Sequence, residues 1–149
     1  MYIVAVACMI VIVDQISKYL ASDFFSQHAR SIPLIPNIFH LTYVENTGIA
    51  FGMFKEHPNL LVAIIAISLL FITYYAIKTH QGRTLFFVSY GFTLGGAFGN
   101  IIDRLRLGFV VDFLDFRIWP VFNLADTFIS VGVGLIILDM LFHKEKMSK

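Results

Sequence analysis

Pro58–Ile77 reads PNLLVAIIAISLLFITYYAI, an unbroken run without a charged side chain. About 20 such residues in a helix rise ~30 Å, the thickness of bilayer hydrocarbon, so the run predicts a transmembrane helix. Thr84–Ile102 is a second uncharged run, and its Gly91, Gly95, Gly96, Ala97 and Gly99 are small enough to let helices approach closely. Tyr2–Ala21 is apolar until Asp14 and Lys18, and Phe122–Phe142 is broken by Asp126 and Asp139. The expected fold class is therefore an all-α membrane protein with four transmembrane helices. It forms one domain over residues 1–149, with spans of about 2–21, 58–77, 84–102 and 122–142.

Composition agrees. Of the 149 residues, 58% are hydrophobic and 14% charged, and mean hydropathy is +0.78. A soluble domain of this size has too little interior to hide that much apolar surface. The net charge of +1, with no basic stripe, argues against a nucleic-acid partner. Cys8 is the single cysteine, so an intrachain disulfide and a cysteine metal cluster are both excluded. The histidines (His28, His40, His57, His80 and His143) include no pair at the i, i+4 spacing of a helical zinc site. No metal and no cofactor is expected. Ala5-Val6-Ala7-Cys8 resembles a lipoprotein processing site. However, no Lys or Arg precedes the apolar stretch, so the first segment is read as a retained span.

Between the first two spans, Asp23–His57 is the longest non-spanning piece. Phe39, Leu41 and Tyr43 alternate with more polar positions, and Asn46-Thr47-Gly48 reads as a turn, which predicts a small β element on the membrane surface. Four spans put both termini on one side. Lys78, Arg83, Lys144, Lys146 and Lys149 flank that side, whereas Arg30, Lys55, Arg104, Arg106 and Arg117 lie on the other. The positive-inside rule is thus tied.

The polar residues crowd at one set of helix ends. Asp14 and Lys18 are four apart and share a face. Asn100, Asp103 and Arg104 share a face of the third span, and Asn123 and Asp126 share one at the start of the fourth. The bland account is an Asp14–Lys18 ion pair that eases insertion and an Asp103–Arg104 pair reaching the interface. Asn100, inside the span, does not fit it. Asp112, in Val110-Val111-Asp112-Phe113, lies near the same depth as Asp126. Carboxylates at hydrocarbon are costly and mark function, and two that share a proton can activate water for peptide hydrolysis without a metal. Asp115 is expected to face water, and Asp139 to be structural.

These residues fall into blocks: Asp14-Gln15-x-Ser17-Lys18, Asn46-x-Gly48-x-Ala50-Phe51, Gly95-Gly96-Ala97-x-Gly99-Asn100-x-x-Asp103-Arg104, Val110-Val111-Asp112-Phe113 and Phe122-Asn123-x-Ala125-Asp126. In kind and order they resemble the signal peptidase II (lipoprotein signal peptidase) family over nearly the whole chain. The resemblance implies a membrane aspartic endopeptidase that cuts prolipoproteins before their diacylglyceryl-modified cysteine. Its partners would be those substrates and membrane lipid. Asp112 and Asp126 match the catalytic pair, and Asp14, Lys18, Asn46, Asn100, Arg104 and Asn123 match residues that bind substrate or support the site. The resemblance also implies a bacterial cytoplasmic (inner) membrane location with cytoplasmic termini. The site would face outward beneath a β-rich extracytoplasmic cradle at about residues 31–54. Three rival readings remain from the residues alone. One is a magnesium-dependent lipid phosphotransferase using Asp103, Asp112 and Asp115, another a proton-coupled transporter using Asp14 and Asp126, and the third a non-catalytic scaffold packed on the glycine-rich span.

Overall fold

The computed structural model describes residues 2–48, 63, 67, 70, 71, 73, 74 and 84–147. The elements are α1 (Tyr2–Ser26), β1 (Ser31–Ile35), β2 (Phe39–Asn46), α2 (Thr84–Leu107), β3 (Val110–Asp115) and α3 (Leu124–Met147). The expected second span, 58–77, falls largely outside the described residues; Ala63, Ile67, Leu70, Phe71, Thr73 and Tyr74 within it are helical. Residues 49–54 of the expected cradle also lie outside them.

α1 and α2 are each long and apolar enough to cross a membrane. α1 is built inside out. Its buried stripe is Ile10, Asp14, Lys18 and Phe25, while Tyr2, Val4, Met9, Ile12, Ile16 and Leu20 are exposed. In water that arrangement would be costly, but against lipid it puts apolar side chains in hydrocarbon and polar ones on a neighbouring helix.

α2 packs between α1 and α3, and small residues set the spacing. A Cβ on Gly91 would stand 2.9 Å from Val6, and one on Gly95 would stand 2.7 Å from Ile10, both on α1. A Cβ on Gly96 would run into the Ala125 carbonyl oxygen and come within 2.8 Å of Ile129, both on α3. One end of the bundle is closed by Phe86 and Tyr90, packed with Ile3, Phe87, Leu94 and Ile136. The other end carries the polar groups. α2 stops at Gly108, whose φ of 83° lets its N–H donate to the Arg104 carbonyl at 3.1 Å.

The sheet is antiparallel in the order β1-β2-β3. β1 and β2 form a hairpin, with Ser31 opposite Thr42 and Ile35 opposite Phe39. β3 then pairs with β2, placing Asp112 opposite Val44 and Asn46 opposite Val110. This third strand was not expected from the sequence. β3 is almost wholly buried, so it lacks the alternation that marks a half-exposed strand. After β3 the chain turns back, and Phe122 bridges to Leu114, with N–H···O distances of 2.8 and 3.0 Å. That bridge delivers the chain to the start of α3.

The close packing of α2 on α3 should be measurable. We expect Gly96→Ala to lower the thermal stability of the detergent-solubilised protein by about 1–3 kcal/mol, the usual range for overpacking. Gly134→Ala, where no described residue lies within 4 Å of the new methyl, should leave it unchanged. Equal melting temperatures for both variants would refute this packing.

Candidate active site

The site begins with a buried ammonium group. Lys18 Nζ lies 2.8 Å from Asp14 Oδ2 and 3.0 Å from Asp103 Oδ2 of α2. Asp14 is 0% exposed, and Lys18 and Asp103 are each 3% exposed. Lys18 also donates to Asn100 Oδ1 at 2.8 Å. Gln15 Nε2 donates to Asp103 Oδ1 at 2.8 Å and to the Gly99 carbonyl at 3.3 Å, so it steadies the same cluster from α1.

Hydrogen-bond polarity then propagates. An ammonium cannot accept, so Asn100 turns its oxygen to Lys18 and its nitrogen toward α3. There Asn100 Nδ2 donates to Asp126 Oδ1 at 2.8 Å. Asn123 is the N-cap of α3 and Asp126 its third residue, and the two form a reciprocal capping box. Asp126 N donates to Asn123 Oδ1 at 3.0 Å, and Asn123 N faces Asp126 Oδ2 at 3.4 Å. With its oxygen taken by a backbone N–H, Asn123 presents Nδ2 to Asp112 Oδ1 at 2.6 Å and to Asn100 Oδ1 at 3.2 Å. Asn46 repeats the device. Its Oδ1 accepts from Gly48 N at 3.0 Å in a tight local turn, which aims its Nδ2 at Asp112 Oδ2, 2.8 Å away.

Asp14 completes the frame: its Oδ1 accepts from Ala125 N at 3.0 Å, in the first turn of α3. A carboxylate at a helix N-terminus satisfies an orphan N–H and complements the helix dipole. The Asp14 carboxyl reaches this position over Gly99, where a Cβ would collide with it. Arg104 donates from Nη2 to the Gly48 carbonyl at 2.8 Å and from Nη1 to the Asn100 carbonyl at 3.3 Å. Its Nε is buried and has no partner among the described residues.

All eight singled-out residues (Asp14, Lys18, Asn46, Asn100, Arg104, Asp112, Asn123 and Asp126) therefore belong to one connected region. Three points differ from expectation. Asp115 does not face water: it is 4% exposed, accepts from Thr42 Oγ1 at 2.8 Å and pairs with Arg117 at 2.9 Å. Asp103 pairs with Lys18 on α1 rather than with its neighbour Arg104. Gln15 and Gly99 are part of the frame and were not singled out as site residues. The three-residue step from Gln15 to Lys18, which puts both on the Asp14 side of α1, was the available signal. Among the described residues, no group of three or more His, Cys, Asp or Glu is placed to hold a common metal ion.

Asp112 lies on β3, 1% exposed. Burial, reinforced by the nearby charge of Asp126, pushes its carboxyl from the ordinary 3.8 up to about 7, against the lowering effect of the Asn46 and Asn123 amides. The proton is thus bound more tightly in the folded state than in the unfolded chain. The resulting stabilisation is fully present below about pH 4 and is lost as pH rises through about 7. We expect the stability of the wild type, relative to Asp112→Asn, to fall by up to a few kcal/mol between about pH 4 and pH 7 and then level off. A difference that stays constant over that window, in denaturation measured across pH, would contradict the burial of an ionisable group here.

The sequence and the fold both have relatives. Residues 6–142 match the family model described as Signal peptidase (SPase) II. A lipoprotein signal peptidase of Halothermothrix orenii is 44% identical over 142 residues, covering 95% of this chain and 96% of its own length. One of Pelotomaculum thermopropionicum is 40% identical over 149 residues, covering 100% of this chain and 97% of its own. A bacterial membrane enzyme solved by the in meso method at 2.3 Å superposes with a TM-score of 0.85 at 32% identity, covering 97% of this chain and 90% of that one. The ordered amide-and-carboxylate network thus lies in a chain matched to one family over residues 6–142, and this chain belongs to the signal peptidase II family, whose work is the removal of signal peptides from prolipoproteins.

Proposed function

We propose that the chain is an aspartic endopeptidase in which Asp112 and Asp126 activate water, and that it cleaves prolipoproteins just before the diacylglyceryl-modified cysteine. The observation that carries this reading is the arrangement of donors. Three side-chain amides, each locked by a pure donor on its other side, converge on two neighbouring carboxyls. Such a site is preorganised for charge to move between those carboxyls with little rearrangement.

In the proposed reaction Asp112 starts with the proton, consistent with its raised pKa. Asp126 takes a proton from water as the water oxygen attacks the scissile carbonyl carbon, and Asp112 gives its proton to the carbonyl oxygen. The tetrahedral diol then collapses. The C–N bond breaks, the cysteine nitrogen leaves with the proton held by Asp126, and a diol hydroxyl returns its proton to Asp112. Both carboxyls end as they began. The Arg104 Nε–H, without a partner among the described residues, and the Asn46 amide, close to the pair, are suited to hold substrate carbonyls. Asp14, Lys18, Asn100 and Asn123 hold the reacting groups in place. No cofactor enters.

The chain is read as a single domain crossing the bacterial cytoplasmic membrane four times, with cytoplasmic termini and an outward-facing site. Two candidate spans, the inside-out α1 and the polar cluster at one end of the bundle support this disposition. The substrate's acyl chains stay in lipid while its peptide bond meets the aspartates at the interface.

Conversion of Asp112 or Asp126 to Asn keeps the shape and removes proton transfer. Each variant should lower turnover of a diacylglyceryl-modified prolipoprotein at least about a hundredfold at normal abundance, whereas the wild type should keep full activity in excess EDTA. Near-normal cleavage by either variant would sink the aspartic assignment, and activity lost to chelator and restored by magnesium or zinc would point to metal chemistry.

Orientation has its own test. With Cys8 replaced, a cysteine at exposed Ala29, beyond the end of α1, should react with an impermeant reagent in intact cells, and one at exposed Thr84 should react only after lysis. The opposite pattern would reverse the proposed topology.

A further inference from the structure

The end of the sheet farthest from Asn46 carries a cluster of apolar side chains turned outward. Leu34, Ile35 and Ile38 flank the β1–β2 turn, and Phe116, Ile118 and Trp119 follow β3; Ile118 is 94% and Trp119 63% exposed. The two tips adjoin. The β2–β3 register sets Asp115 opposite His40, and the rings of Phe39 and Phe116 are 4.8 Å apart.

This exposure belongs to a built turn. Arg117 N donates to Asp115 Oδ1 at 2.8 Å, and the Arg117 guanidinium pairs with Asp115 Oδ2 at 2.9 Å. Ile118 N donates to the Phe116 carbonyl at 2.7 Å. Arg117 takes the left-handed backbone conformation, with φ of 65°. Phe116 stacks on Phe122, the centroids 5.9 Å apart. Buried Asp115 thus holds the turn that keeps Ile118 and Trp119 away from the protein.

We infer that this tip is a membrane anchor: Ile118 and Trp119, with the apolar β1–β2 turn beside them, insert into the headgroup–acyl boundary of the leaflet that the helices cross. The occupant follows from position and chemistry. The whole excursion, residues 108–123, begins at α2 and ends at α3; with both helices spanning as proposed above, it is tethered to the bilayer surface at both ends. A cluster of Trp, Ile, Leu and Phe beside one Arg is the composition of the membrane interface, where an amphipathic indole and a cation both find partners. Phe116 directly follows β3 and is four residues from Asp112, ~13 Å of extended chain. Docking the tip therefore fixes the tilt of the sheet and, with it, the height of Asp112 above the hydrocarbon. The inference rests on the membrane disposition proposed above.

Trp119 is the single tryptophan, so intrinsic fluorescence reports on it alone. The full chain is reconstituted in phosphatidylcholine/phosphatidylglycerol vesicles whose acyl chains are brominated either near the headgroup or near the terminus. Trp119 should be quenched strongly by the shallow bromines and weakly by the deep ones. A parallel protein, Trp119→Phe with Phe98→Trp, carries its reporter on the exposed side of α2. If the Phe98 reporter is quenched and Trp119 is quenched at neither depth, the anchor is wrong while the membrane reading stands. If the Phe98 reporter is not quenched, both fail. A second arm uses the double variant Ile118→Ser, Trp119→Ser, whose melting temperature should be unchanged because both side chains are exposed. Its cleavage of lipid-modified prolipoprotein in vesicles should fall about tenfold, equivalent to about 1.4 kcal/mol, with cleavage in micelles, where no planar surface exists to set the sheet's tilt, within about twofold of wild type. Equal losses in micelles and vesicles, or no loss in either, would overturn the anchor.

Discussion

An ammonium group can only donate hydrogen bonds, and the burial of one at Lys18 gives direction to everything around it. Its donors go to Asp14, Asp103 and Asn100, and that choice fixes which end of the Asn100 amide meets Asp126. Backbone N–H groups impose the same one-way logic on Asn46 and Asn123. If Asn100 were reversed, an amide oxygen would face the Asp126 carboxylate, which is repulsive. The site is thus ordered by the impossibility of reversal at a few points. Removing Lys18 would also leave two buried carboxylates without their cation, a change that typically costs about 3–5 kcal/mol.

The same network joins the helices. In hydrocarbon, apolar side chains gain nothing by leaving lipid for one another, so association rests on close packing and hydrogen bonding. α2 supplies both: glycines bring α1 and α3 to its backbone, and Asn100 and Asp103 bond to side chains on either side. Asp14 reaches across to the first turn of α3 only because Gly99 leaves room for it. Packing and site chemistry are therefore one construction at this end of the bundle, whereas the Phe86–Tyr90 end is packing alone.

Much of this was legible in the sequence because it follows from helical periodicity. The four-residue step from Asp14 to Lys18 and the three-residue step from Asn123 to Asp126 each put two polar groups on one face, and both pairs meet as expected. Three-dimensional choices were not legible. Asp103 could pair with Arg104 beside it or with a cation on another helix, and the rotation of α1 against α2 decided for Lys18. β3 was missed because a strand covered on both faces has no period of two to read. The burial of Asp115 is not legible for the same reason: without the strand, nothing in Phe113–Arg117 implies that Thr42 would donate to it.

The i, i+4 spacing of Asp14 and Lys18 has a consequence for the order in which the protein is made. The hydrogen bond from Ala125 to Asp14 joins positions 111 residues apart, so α1 leaves the ribosome long before α3 exists. During that interval two charges must wait in or near hydrocarbon. Standing one turn apart, they neutralise each other within a single helix, so the nascent segment can be released into lipid with no chaperoning partner for either charge. The later helices then find an ion pair already formed, and assembly needs only to reassign its remaining donors and acceptors to Asp103, Asn100 and the start of α3.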